Sequence, residues 1–167
     1  MKGKNLAIFF GVLVVLIVAL VVLNNFKKDT VYGMPSSDLS QPTRDLLDDP
    51  NYNNILIPDK LDQMIADKNS FFVYYFSASC PHCLFSTPQI KPIADDLGIN
   101  FHQFNLLEFQ SYLGKMDINA TPTLVYYKDG VEAGRMEGGL KESANTVGYT
   151  LDDFKKFFTD HKPDGND

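Results

Sequence analysis

The two cysteines of this 167-residue chain stand as Cys80-Pro81-His82-Cys83, directly after the apolar run Phe71-Phe72-Val73-Tyr74-Tyr75-Phe76. That junction limits the fold more than any other feature. A short apolar run without alternation reads as a strand buried on both faces. A C-x-x-C pair that follows such a strand and opens a helix reads as a redox motif. One helical turn brings the sulfurs within bonding distance and leaves the first at the exposed end. The unpaired N–H groups and positive dipole end of the helix stabilise a thiolate on Cys80, and a protonated His82 adds a nearby positive charge. The chemistry this suggests is thiol–disulfide exchange, with Cys80 as nucleophile and Cys83, one turn in and more buried, as the resolving thiol. The alternatives are a structural disulfide, whose very short loop restrains little of the unfolded chain, and a zinc site, which lacks a second ligand pair.

Residues Leu6 to Leu23 form an unbroken apolar run of 18. At ~1.5 Å per residue it spans roughly 27 Å, close to the hydrocarbon thickness of a bilayer. A cleaved signal peptide is the alternative, but its apolar core runs about 7–15 residues and ends at a small-residue cleavage site. Here Asn24-Asn25-Phe26-Lys27-Lys28 follows, which favours a retained anchor in the lipid bilayer. Lys2 and Lys4 on one flank nearly balance Lys27 and Lys28 on the other, so the positive-inside comparison decides little. The start-proximal position favours a cytoplasmic N-terminus and an exported domain, which also gives the cysteines an oxidising compartment; a domain facing the cytoplasm is the alternative. All 21 acidic residues and 13 of the 15 basic ones lie beyond the run. That balance argues against a nucleic-acid-binding surface, which needs a basic stripe.

The chain then divides into residues 1–28 as a basic-flanked signal anchor, 29–50 as a polar tether, 51–161 as a folded domain and 162–167 as a tail. The tether reading rests on Pro35, Pro42, Pro50 and the Ser36-Ser37-Asp38 cluster. Beyond it, Tyr52 to Ile57 reads as a strand, and Pro58 to Lys68, with Leu61, Met64 and Ile65, as a helix. Phe71 to Phe76 is a strand, followed by a helix from Cys80 containing Pro88 and Pro92 and stopped by Gly98. Phe101 to Leu106 is the next strand and Phe109 to Met116 a short helix. Thr123 to Lys128 and Val131 to Met136 flank Asp129-Gly130, a strong hairpin signal. Leu151, Phe154, Phe157 and Phe158 share one face of a last helix. The order β-α-β-α-β-α-β-β-α gives an α/β domain with a central mixed sheet and helices on both faces.

From about Asn51 to His161 the chain resembles the thioredoxin fold. The residues that carry the resemblance are the aromatic strand leading into C-x-x-C, Pro88 five residues after Cys83, Ala120-Thr121-Pro122-Thr123-Leu124, Lys128-Asp129-Gly130 and Gly138-Gly139-Leu140. The resemblance implies a cis peptide bond at Thr121–Pro122, in a loop packed against the cysteine pair. It also implies that Thr121 offers its backbone to an extended substrate by strand addition. The spacing leaves no room for the helical insertion of the DsbA-like oxidases, yet Pro81-His82 resembles their dipeptide and not the Gly-Pro of reducing thioredoxins. Pro81 and His82 thus tune the Cys80 thiolate toward oxidation, and Thr121 points the same way. Two departures from the family stand out: Tyr74 holds the place of its buried acid, and Ser79 the place of its tryptophan.

These features favour a membrane-anchored, extracytoplasmic thiol–disulfide oxidoreductase that donates disulfides to an exported cysteine-containing protein or peptide. It resembles surface thioredoxin-like proteins of Gram-positive bacteria. A reductase serving one exported client, fed by a membrane redox partner, is the nearest alternative. A peptide-holding module whose cysteines are secondary is the other. No feature calls for a cofactor or a metal, and His102 and His161 read as structural.

Overall fold

The computed structural model of the protein describes residues 10–19, 30–143 and 146–162. Its sheet has four strands, β1 (Phe71–Phe76), β2 (Phe101–Asn105), β3 (Thr123–Lys128) and β4 (Val131–Glu137), in the order β2-β1-β3-β4. β1 runs parallel to β2 and antiparallel to β3, and β3 pairs antiparallel with β4. Tyr74 at the centre of β1 sits opposite Gln103 on one side and Leu124 on the other.

Every residue of β1 is buried, which explains its lack of alternation. Successive side chains point to opposite faces, and both faces are covered. Phe72, Tyr74 and Phe76 enter a core with Cys83, Ile90, Phe154 and Phe158, while Phe71, Val73 and Tyr75 enter a second core with Leu61, Met64 and Tyr112. Among the helices, α1 (Gln41–Arg44) precedes the sheet, and α2 (Pro58–Ala66) contributes Leu61 and Met64 to the second core. Pro58 occupies the first turn of α2 with Asp59 beside it, as the orphan N–H groups and dipole favour. The helix α3 (Pro81–Asp96) carries the cysteine pair, α4 (Ser111–Lys115) is short, and α5 (Leu151–His161) packs Phe154 and Phe158 beneath α3. Thr150 and Asp153 close α5 with a capping box. The β3–β4 turn has positive φ at both Asp129 (51°) and Gly130 (75°), the requirement of the tightest hairpin turn.

Three sequence expectations need correction. The strand expected over Tyr52–Ile57 is a 3₁₀ turn, Pro50–Tyr52, followed by a single parallel bridge between Ile55 and Gln103. Asn53 and Asn54 interrupt the apolar pattern, and Pro58 begins α2 before a ladder can extend. Tyr52 instead turns inward, its ring 5.2 Å from Phe76. The helix expected over Phe109–Met116 is confined to Ser111–Lys115. The segment expected as a tether, 29–50, is folded onto the domain from residue 30: Tyr32 is 4% exposed, Leu39 2% and Thr43 0%. Two short helical turns at its prolines, Ser36–Asp38 and Gln41–Arg44, bring these side chains to one side. The polar residues that suggested a tether are satisfied by the domain, Ser40 by Glu108 and Thr43 by Asn105. The folded unit therefore begins some twenty residues before Asn51.

Residues 10–19 are helical and their side chains are exposed. The rest of the expected anchor, with its flanks at 1–9 and 20–28, lies outside the described residues, as does the tail beyond Lys162. Among the described residues no helix is long and apolar enough to cross a membrane.

Candidate active site

The site is built where β1 hands the chain to α3. Ser77 and Ser79 share a 3.0 Å hydroxyl contact, and the Cys80 N–H donates to the Ser77 carbonyl at 3.0 Å, closing a turn. Cys80 emerges from it in extended geometry as the N-cap of α3. Pro81 follows at the first helical position, where a missing N–H costs nothing because that group would be an orphan. The Cys83 N–H is such an orphan donor, and it reaches the Cys80 Sγ at 3.4 Å. Cys80 is partly exposed and Cys83 fully buried, and both thiols are free.

The Thr121–Pro122 peptide is cis. Two bonds hold its loop: Thr123 Oγ1 donates to the Ala120 carbonyl at 2.8 Å, and the Gly138 N–H donates to the Pro122 carbonyl at 2.8 Å. The Thr121 carbonyl then lies 3.5 Å from Cys80 Sγ. Cys80, Cys83, Thr121 and Pro122 are therefore gathered at one end of the sheet.

The two thiols differ sharply. Burial alone would raise the Cys80 pKa. Hydrogen bonds from the Thr121 side chain, from the Cys83 thiol and N–H, and from the His82 N–H outweigh it and hold Cys80 below the ordinary thiol value. The Thr121 carbonyl accepts from the thiol and favours the protonated form, so the lowering belongs to the donors. For Cys83, burial dominates and pushes the pKa well above the ordinary range, and the bond to the Cys80 sulfur keeps its proton in place.

His82 is half-buried, its Nδ1 3.3 Å from Glu142 Oε1. That carboxylate was not foreseen from the sequence, and it faces the imidazole assigned to tune Cys80. The His82 ring also lies against the Gly139 backbone, where an added Cβ would come within 2.7 Å of its Cδ2 and clash with Ser86 Oγ. Ser86 accepts the Leu140 N–H at 3.0 Å. Only a residue without a side chain lets the glycine loop approach α3 this closely.

Among the described residues, hydroxyls and not an acid lie behind Cys83. Thr87 Oγ1 donates to the Cys83 carbonyl at 2.7 Å and shares a 3.3 Å hydrogen bond with the Tyr74 hydroxyl. Tyr52 Oη is buried in the same core with no hydrogen-bond partner among the described residues. Burial pushes its pKa up to about 12, so none of these groups is charged at neutral pH. Ser86 and Thr87 lie three and four residues after Cys83, a spacing that places them on its helical face and could have marked them from the sequence. His102 lies on β2 and His161 on α5, away from the cysteines. Among the described residues no group of three or more His, Cys, Asp or Glu could hold a metal ion.

Comparison with known proteins places this arrangement. Solved structures similar to the chain include thioredoxin Mala s 13 of Malassezia sympodialis, at 17% identity and TM-score 0.52, covering 64% of this chain and 88% of that one. Fasciola hepatica thioredoxin matches at 21% identity and TM-score 0.51, over 62% of this chain and 93% of its own. These likenesses show the fold. The family model for thioredoxin matches residues 54–147, more than half of the chain, and the chain therefore belongs to the thioredoxin family, whose members are generally thiol–disulfide oxidoreductases.

Proposed function

We propose that this protein donates disulfides to exported cysteine-containing proteins or peptides through the Cys80–Cys83 pair, from a domain held outside the cytoplasmic membrane by residues 6–23. The observation that carries this is the Cys80 sulfur at the N-cap of α3, accepting the Cys83 N–H at 3.4 Å. Donors aimed at Cys80 stabilise its thiolate, hence the reduced pair, and so make the disulfide the stronger oxidant.

In the forward reaction a client thiolate attacks Cys80 Sγ of the oxidised pair. The Cys80–Cys83 bond breaks, and Cys83 leaves and takes up a proton, which its buried surroundings favour. A second client thiolate then attacks the client sulfur of the mixed disulfide. Cys80 departs as the stabilised thiolate, and two electrons have passed from client to enzyme. Recharging the pair takes a two-electron acceptor, the role of a membrane redox partner. The client's backbone lies along the Thr121–Pro122 loop, adding as a strand.

The reductase reading runs the same steps backwards, and one feature weighs against it. Cys83 must then lose its proton before it can resolve the mixed disulfide, and among the described residues no charged base stands behind it. Equilibration of the full chain against glutathione buffers decides the direction. A potential near about −120 mV is expected for a donor, and one near about −270 mV would overturn donation in favour of reduction.

The location is supported by the apolar run and by the helix at residues 10–19, which exposes Val15 at 67% and Val14 at 56%. Such a surface needs an apolar cover, and lipid supplies it. On intact cells, an impermeant thiol reagent is expected to label Cys80. Labelling only after lysis would overturn the extracytoplasmic placement.

A further inference from the structure

Asn105 closes β2 and is fully buried, and its side chain makes four hydrogen bonds. The Oδ1 accepts from the N–H of Ala78 at 3.2 Å and of Leu107 at 3.1 Å. The Nδ2 donates to Tyr32 Oη at 3.1 Å and to Thr43 Oγ1 at 2.9 Å. One end of this carboxamide thus holds the turn that delivers Cys80, since Ala78 lies inside the turn closed by the Cys80 N–H on the Ser77 carbonyl. The other end is held by the N-terminal segment, 30–46. The same segment has a second attachment, where Ser40 donates from its N–H and its hydroxyl to Glu108 Oε1 at 3.1 and 2.5 Å. Both attachments fall on the end of β2 and the loop after it.

We propose that Asn105 is a positioning residue for Cys80, held in place by Tyr32 and Thr43, so that the reactivity of Cys80 depends on the docking of the segment that links the domain to its N-terminus. The proposal rests on the reading of Cys80 as the nucleophile. A carboxamide is a rigid plane, so a shift of its nitrogen shifts its oxygen as well. A buried NH₂ group left without acceptors is costly, and it turns in search of new ones. The Ala78 N–H then loses its partner, the Ser77–Cys80 turn loosens, and Cys80 Sγ drifts from the Cys83 N–H. That 3.4 Å bond is one of the donors that hold the Cys80 thiolate, so a drift removes part of what stabilises it.

The test is the pH profile of Cys80 alkylation by iodoacetamide, followed by mass on the reduced full chain in mild detergent. In the double variant Tyr32→Phe/Thr43→Val, which keeps both shapes and removes both acceptors, the midpoint is expected to rise by about half a unit to one unit. Below the midpoint the rate then falls about 3- to 10-fold. Thr43→Ser keeps the hydroxyl and is expected to retain the wild-type midpoint. Met64→Ala opens a cavity in the core on the other face of the sheet, and it is expected to lower Tm without moving the midpoint. An unmoved midpoint in the double variant, or an equal shift in Met64→Ala, would overturn the proposal. Should the double variant not fold, Thr43→Val alone is expected to shift the midpoint in the same direction, and no shift there overturns the proposal equally. A wild-type midpoint at the ordinary thiol value would overturn the reading of Cys80 itself, and the inference with it.

Discussion

Replacing Cys80 by Ser is expected to abolish disulfide exchange, lowering the rate by roughly three orders of magnitude or more, as removal of a nucleophile does elsewhere. Replacing Cys83 by Ser is expected to do something different. Attack on a client disulfide by Cys80 needs only the lowered thiolate, so the first step survives. Release needs a second sulfur, so the mixed disulfide accumulates and is visible on a non-reducing gel. The asymmetry follows from burial, since Cys80 is partly exposed while Cys83 has no exposed surface. A Cys80→Ser protein that still exchanges disulfides would sink the assignment of the nucleophile. One that loses exchange yet fully complements a strain lacking the protein would instead support the peptide-holding module.

Wherever a local pattern dictates a local structure, the sequence was readable. The unbroken apolar run of β1, rich in aromatic and β-branched residues, reads as a strand covered on both faces, and the two cores show what covers it. The turn at Asp129-Gly130 needed no tertiary information, because its two positive φ angles suit that pair. The failures share a cause. Residues 30–50 look like a linker because their polar side chains outnumber their apolar ones, and polarity signals exposure only if those side chains lack partners. Thr43 and Ser40 have partners more than sixty residues away, and no periodicity announces them. In the sequence Asn105 is a polar residue inside the strand expected over Phe101–Leu106, and only the fold shows that it joins the N-terminal segment to the cysteine turn. Tyr74 is an intermediate case. Its departure from the family's buried acid was plain in the sequence, but the Thr87 and Tyr52 hydroxyls around it are contributed by α3 and by the turn before α2.

The same tyrosines make the domain sensitive to base, and alkaline pH is expected to unfold it in one cooperative step between about pH 10 and 12. Tyr32, Tyr52, Tyr74 and Tyr75 are each 4% exposed or less. Burial pushes Tyr32 and Tyr52 up to about 12, and it raises Tyr74, Tyr75 and Cys83 well above their ordinary values. In the unfolded chain these groups titrate at their ordinary values, near about 10 for tyrosine and 8.5 for cysteine. Above those values the unfolded state has released protons that the folded state still holds. Stability is therefore fully present below the unfolded pKa values and falls as pH rises toward the folded ones. Each group contributes about 1.4 kcal/mol per pH unit. Cys80, with its lowered pKa, acts in the opposite sense, but it is a single group, and Tyr127, also raised by burial, adds to the five. The five together cost about 7 kcal/mol per unit once past pH 10, against a total stability of about 5–15 kcal/mol for a domain. Tyrosinate absorbance and far-UV circular dichroism, followed on one sample, are expected to change together and more steeply than a single titration. If the absorbance instead rises gradually around pH 10 for all eight tyrosines while the dichroism holds, the buried hydroxyls ionise in place. The packing around Tyr74 and Tyr75, and with it the uncharged floor beneath Cys83, would then have to be abandoned.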